Sequence, residues 1–136
     1  KGDFHADENL PASDRAELND YKAEGFDRGH MAPNGDMPDL GSQAESYTLA
    51  NVAPPIAEDN SGIWEGIEES VRNLAIKDSD IYVVSGPIFA SDQSKAKSLN
   101  NRVAVPVEFF KAVYDAKHHQ AAAYIVHNKI AVAGGA

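Results

Sequence analysis

The chain has no cysteine. Disulfides and thiolate-bound zinc are therefore excluded, and any metal must be held by oxygen or imidazole donors. Cysteine usage alone leaves the compartment open, because secreted proteins also fold without disulfides. No apolar run approaches the roughly 18 residues that read as a membrane span, and the first residues form no basic, apolar leader. Cations are scarce as well: 12 Lys and Arg stand against 21 Asp and Glu, a net charge of −9. This balance argues against a simple nucleic-acid binder, which carries a basic face. It does not argue against an enzyme, because a bound divalent ion supplies two positive charges where a phosphate sits. The acidic surplus is then expected to lie away from the working cleft and to make polyanion binding weak and salt-sensitive.

What is present fits one globular domain. Of 136 residues, 43% are hydrophobic and 24% charged, enough for a core and an ordinary surface. Lys1-Gly2-Asp3-Phe4 opens without a capping residue, and Ala131-Val132-Ala133-Gly134-Gly135-Ala136 closes on small residues. The expectation is a single domain over residues 1–136, truncated at one or both ends.

Local patterns predict an α+β fold, a central antiparallel or mixed sheet with flanking helices. Residues 1–26 read as polar loop with a short helix from Arg15 to Tyr21, and residues 31–41 and 51–62 read as loops punctuated by proline and glycine. Ser42 to Leu49 reads as a short helix, with Ser42 as N-cap and Glu45 completing a capping box. Ile63, Trp64, Ile67, Val71, Leu74 and Ala75 recur at helical spacing, with Asn60 or Ser61 as the cap. Ile81 to Ser85 reads as a buried strand before Gly86-Pro87, and Ser91 to Asn101 as a loop. Val103–Val107, Phe109–Tyr114 and Ala121–Val126 read as further strands, the last two forming a hairpin across Asp115–Gln120.

Two clusters carry chemistry. In Phe26-Asp27-Arg28-Gly29-His30-Met31-Ala32-Pro33, glycine permits a close backbone approach. His30 is a proton acceptor near neutral pH, and Arg28 can hold a phosphate with paired donors. Taken alone, this run is more often a turn with a surface histidine. The second cluster is Asn51-Val52-Ala53-Pro54-Pro55, then Asn60-Ser61-Gly62-Ile63-Trp64 and Glu68. Asn60, Trp64 and Glu68 are spaced four apart and stack on one helix face. An amide oxygen and a carboxylate there can hold a hard cation and its waters. Singly, Asn60 reads as a cap, Trp64 as core and Glu68 as a solvated charge.

Together the clusters resemble the DNA/RNA non-specific endonuclease family, the ββα-metal nucleases with an Asp-Arg-Gly-His signature. Asp27-Arg28-Gly29-His30 matches that signature. Asn51-Val52-Ala53-Pro54, Asn60 nine residues after Asn51, Gly62-Ile63-Trp64 and Glu68 follow in the family's order. Val84-Ser85-Gly86-Pro87 and Val105-Pro106-Val107-Glu108-Phe109-Phe110-Lys111 are also similar, so the likeness spans residues 3–130. Several ordered motifs are far more specific than one.

The resemblance implies a ββα-metal active-site motif and a Mg²⁺-dependent hydrolase (Mn²⁺ as a substitute) acting on both DNA and RNA. His30 would be the general base, Asn60 the direct metal ligand and Glu68 a ligand through water. Asn51 would help position His30 or the phosphate region, and Arg28 would bind substrate near the scissile phosphate. Contacts to phosphate, which both nucleic acids share, account for sugar tolerance. Two departures stand out. Pro55 replaces the family's glutamine, and no arginine occurs near Lys1 or Gly2, where the family has one that stabilises the transition state. These departures and the acidic charge keep open a catalytically weakened nucleic-acid-binding module of the same fold, and the cut-looking ends keep open a nuclease toxin domain of a larger effector with an immunity protein as inhibitor partner. Secreted or periplasmic localisation and no membrane partner are expected.

The remaining polar residues invite no role. His5, His118, His119 and His127 are scattered, with His118-His119 expected to face solvent in a turn. Asp36 and Asp39 lack calcium-loop spacing. Arg72, Lys77 and Lys111 read as surface charges unless they line a cleft.

Overall fold

The apolar repeat around Trp64 and Val71 forms one long helix. In the computed structural model it runs from Ala57 to Asp78. The structure describes residues 2–22, 26–55, 57–78, 80–92, 94 and 96–128, and the side chains of 57–61 fall outside that description. This helix, α2, begins earlier than its pattern predicts, so Asn60 and Ser61 lie in its opening turns rather than at its cap. Val71 is buried on the inner face, while Ile63 and Ile76 point outward. The shorter helix α1, Leu40–Ser46, also starts early. Asp39, not Ser42, is its N-cap, because the Asp39 side chain accepts the Ser42 N–H at 2.7 Å.

The fold is α+β, and its main sheet is antiparallel. Strands β3 (Ile81–Ile88), β6 (Glu108–Asp115) and β7 (Gln120–His127) lie in the order β3-β6-β7. The predicted hairpin is β6–β7, in register from Glu108↔His127 to Asp115↔Gln120. One face of the sheet packs on α2, with the Trp64 and Phe109 ring centroids 5.8 Å apart. The opposite face carries Tyr82, Val84, Tyr114 and Ile125, all exposed. The expectation that β3 is a buried strand therefore fails, and Tyr82 is 62% exposed. Its apolar residues reflect alternation across a pleated surface, not burial on both sides.

Two further strand pairs escape the sequence pattern because each strand has only two residues. Strand β1 (Gly29–His30) pairs with β2 (Val52–Ala53) inside regions read as loop. Strand β4 (Ser98–Leu99) pairs with β5 (Val103–Ala104) across a turn that places Asn100 and Asn101 at φ 51° and 54°, which asparagine tolerates. The predicted strand Val103–Val107 is thus cut short at Ala104, before Pro106. The predicted helix Arg15–Tyr21 shrinks to a single 3-10 turn, Leu18–Tyr21.

A small core ties these pieces together. Tyr21, Leu49, Leu99 and Val105 are buried, with Phe4, Phe26, Val52 and Val103 packed on them. Buried Asp20 fixes the polar N-terminal segment to it. Its carboxylate accepts from Asn100 Nδ2 at 2.8 Å, Arg102 Nε at 3.2 Å and the Glu17 backbone N–H at 2.8 Å. The Arg102 guanidinium also donates to the Ala12 and Arg15 carbonyls. Asp20→Ala removes the shared acceptor and is expected to lower the stability by about 2–3 kcal/mol, the scale of hydrogen bonds to charged groups. Urea denaturation with an unchanged slope and an unchanged midpoint would contradict this.

Candidate active site

The ββα arrangement builds the site. Beyond the β1–β2 ladder the pairing continues at both ends: Asp27 N–H donates to Pro55 O at 3.0 Å, and Met31 N–H to Asn51 O at 2.8 Å. Gly29 is required by the close approach of Pro55, since a Cβ there would fall 3.0 Å from Pro55 Cγ and 3.3 Å from Ala53 O. Pro55 thus keeps the backbone acceptor at this position and fills the space above Gly29.

The Asn51 amide is consumed by the backbone. Its Oδ1 accepts from Ala32 N–H at 2.9 Å, and its Nδ2 donates to Ala32 O at 2.9 Å and Ser46 O at 3.0 Å. Asn51 therefore fixes the segment leaving His30. Helix α2 closes the third side, where Trp64 Nε1 donates to the His30 carbonyl at 3.4 Å. At the other end of the loop, Asn128 Nδ2 donates to Pro54 O and Pro106 O, tying β2 to the sheet.

A cavity of about 260 Å³ lies between these elements, lined among others by Arg28, His30, Trp64, Glu65, Glu68 and Arg72. The His30 ring packs against Tyr47 edge-on at 4.6 Å and against Phe4 at 5.2 Å. Its Nε2 is buried and has no hydrogen-bond partner among the described residues. Burial pushes the imidazole pKa down, which favours the neutral ring, the form able to accept a proton. Arg28 stands at the cleft rim, its guanidinium carbon 4.4 Å from the centre of the Phe4 ring.

Glu68 is half-buried on the α2 wall. Burial raises its pKa, and the Lys111 ammonium opposes that rise. Lys111 is not the surface charge its sequence context implies. It is 1% exposed, donates to Ser85 Oγ at 2.5 Å and lies 5.0 Å from the Trp64 ring centre. Arg72 lines the cleft too and is held by Asp36 at 2.8 Å. The cleft lining holds two arginines against Asp27, Glu65 and Glu68. The wall carries one net negative charge of the chain's nine, so most of the acidic surplus lies outside the cleft, as expected, although the wall itself is not basic.

The structure thus brings His30, Arg28 and Glu68 to one cleft, with Asn51 bracing its edge. The Asn60 side chain lies outside the described residues, as does Lys1. Gly2 lies against the Tyr47 ring, where any side chain would clash. Sequence reasoning missed Phe4 and Tyr47 as the walls of the histidine and Lys111 as a buried cation. Only the Phe-Phe-Lys run hinted at the last.

Residues 1–134 match the family described as DNA/RNA non-specific endonuclease. The chain belongs to that family. It is 36% identical over 119 residues to a protein named "Nuclease EXOG, mitochondrial" from Danio rerio, covering 81% of this chain and 35% of the relative. It is similar at 36% over 119 residues to "Nuclease C1" of Cunninghamella echinulata var. echinulata, covering 81% and 47%, respectively. "Endonuclease G, mitochondrial" of Bos taurus is 35% identical over 120 residues, covering 82% and 40%. The chain therefore spans between about a third and a half of the length of these curated relatives. In this endonuclease family member, the Asp-Arg-Gly-His segment and the Asn51 segment are the two strands of the ββα unit.

Two outcomes follow from this geometry. The His30 ring is expected to titrate below 6.5 when followed by NMR, remaining neutral at lower pH than a free histidine. A midpoint at or above the free value would contradict its desolvation. Asn51→Ala exchanges its bonds to the exposed Ala32 backbone and to Ser46 O for water and should lower stability by about 1 kcal/mol, measured by thermal or urea unfolding.

Proposed function

We propose that the chain carries the catalytic centre of a Mg²⁺-dependent endonuclease that hydrolyses phosphodiester bonds of both DNA and RNA, with Mn²⁺ able to replace Mg²⁺. The observation that carries this reading is His30: a half-buried imidazole, held neutral by desolvation, on the wall of a cleft that also holds Arg28 and Glu68. The neutral His30 ring, which lines the cleft, is the group that takes the proton as a water attacks phosphorus.

The donors on α2 fit a hard divalent cation. They are oxygen groups, and a wall bearing one net negative charge is a poor phosphate site until a divalent ion reverses its sign. Asn60 would hold the ion directly and Glu68 through water. When bound, the ion would neutralise charge on the phosphate and on the departing 3′ oxygen. Lys111 opposes the burial that disfavours the charged form of the Glu68 carboxylate. Arg28 binds phosphate oxygens from the rim, and Asn51 positions the His30 strand. Secretion or export to the periplasm is the compartment we propose.

The test uses plasmid DNA and RNA with Mg²⁺ and with EDTA. The chain is expected to cut both in Mg²⁺ and neither in EDTA, and His30→Ala to lower the rate by about 10²- to 10⁴-fold, the usual contribution of a general base. Equal cutting by the variant would sink the role of His30, and cutting in EDTA would sink the metal. Glu68→Gln is expected to weaken Mg²⁺ activation, read as a higher Mg²⁺ concentration at half-maximal rate.

A further inference from the structure

A second cluster lies at the far end of the same helix. Asp78 is the last residue of α2, Asp115 the last of β6, and His118 sits in the β6–β7 turn. Asp78 is ten residues beyond Glu68, about 15 Å along the helix. Asp115 is six residues beyond Phe109 of the cleft, about 20 Å along the strand. The cluster is therefore separate from the cleft around His30.

Its composition is unusual for a buried place. Asp78 and Asp115 are each only 7% exposed, and both carboxylates face the same imidazole. His118 Nδ1 lies 2.8 Å from Asp115 Oδ2 and 3.3 Å from Asp78 Oδ2. Among the described residues, this half-exposed imidazole is the only cationic group within ion-pair distance of either carboxylate. Two adjacent ionised carboxylates repel one another, and a cation between them relieves that repulsion. Asp78 also stands at the C-terminal end of a 22-residue helix, where the backbone dipole favours positive charge and penalises negative charge. An acidic residue buried at that position breaks the local rule, and a bound cation is what reconciles it.

We propose that Asp78, Asp115 and His118 form a divalent metal site, selective for Zn²⁺, that pins the end of α2 to the β6–β7 turn. One ligand atom from each residue already lies within 4.8 Å of the others. Two carboxylate oxygens and one imidazole nitrogen suit Zn²⁺, whereas Mg²⁺ and Ca²⁺ prefer oxygen alone. Three protein ligands leave one position for water, and the open side of His118, whose side chain is 50% exposed, is the entry path. Binding replaces the proton on Nδ1 by the metal and leaves both carboxylates ionised. The role is structural and independent of phosphodiester cleavage.

The test is Zn²⁺ binding to the whole chain by equilibrium dialysis with metal analysis, alongside thermal unfolding and imidazole nitrogen NMR. The wild type is expected to bind one more equivalent of Zn²⁺ than His118→Ala, a turn variant that leaves the core intact. Zn²⁺ at a hundredfold excess over its dissociation constant should raise the wild-type Tm by roughly 10 °C, and this rise should be lost in His118→Ala but kept in His30→Ala. The Nδ1 signal of His118 should shift on Zn²⁺ addition. Equal Zn²⁺ stoichiometry in His118→Ala, or an unshifted His118 signal, would leave the triad a simple ion pair and overturn the proposal. Failure of the nuclease assay would not touch it.

Discussion

The antiparallel pairing of Gly29–His30 with Val52–Ala53 holds the site together. It joins residues more than twenty apart, and closing such a loop costs on the order of 3 kcal/mol. The cross-loop bonds named above, from Asp27 to Pro55, Met31 to Asn51 and both ways between Asn51 and Ala32, return about 1 kcal/mol each. The balance is close to even. What tips it is packing: Pro55 over Gly29, Phe4 and Tyr47 around the His30 ring, and Trp64 from the helix. The residues that enclose the proposed base thus also stabilise the strand that carries it. Catalytic geometry and local stability cannot be varied separately here.

Charge in the cleft follows the same economy. A net −9 chain does not attract polyanions by its bulk field, so recognition must be local. Two arginines reach the cleft, and one of them, Arg72, is already paired with Asp36. Lys111 is sealed beneath Trp64 and acts on Glu68 rather than on substrate. That leaves Arg28 as the exposed cation of the cleft among the described residues, and it makes the proposed metal the dominant source of positive potential.

Much of this could be read from residue order. The long amphipathic helix and the β6–β7 hairpin follow from periodicity, and the α+β class follows from their alternation. The clustering of His30, Arg28 and Glu68 followed from ordered motifs, since no single motif outweighed its ordinary reading as a turn, a cap or a surface charge. Strands β1 and β2 stayed hidden because two residues cannot display alternation, and their pairing depends on partners distant in sequence. His118 faces solvent in its turn as expected, whereas Lys111 was misjudged. Charged side chains in strands usually face water, and only tertiary structure reveals the carboxylate that draws this one inward. The resemblance implied a positioning role for Asn51, but the backbone groups its amide holds, on Ala32 and Ser46, are displayed by no sequence pattern.

Trp64 is the only tryptophan in the chain. Its indole N–H touches the backbone of the proposed base, its ring meets Phe109 of the sheet, and a buried ammonium lies against its face. Strand, sheet and helix therefore converge on one fluorophore. Its emission is an internal gauge of whether the three remain in register, and any separation of α2 from β1 would admit water and move that emission to longer wavelength. The molecule carries its own optical readout of cleft integrity, with no label required.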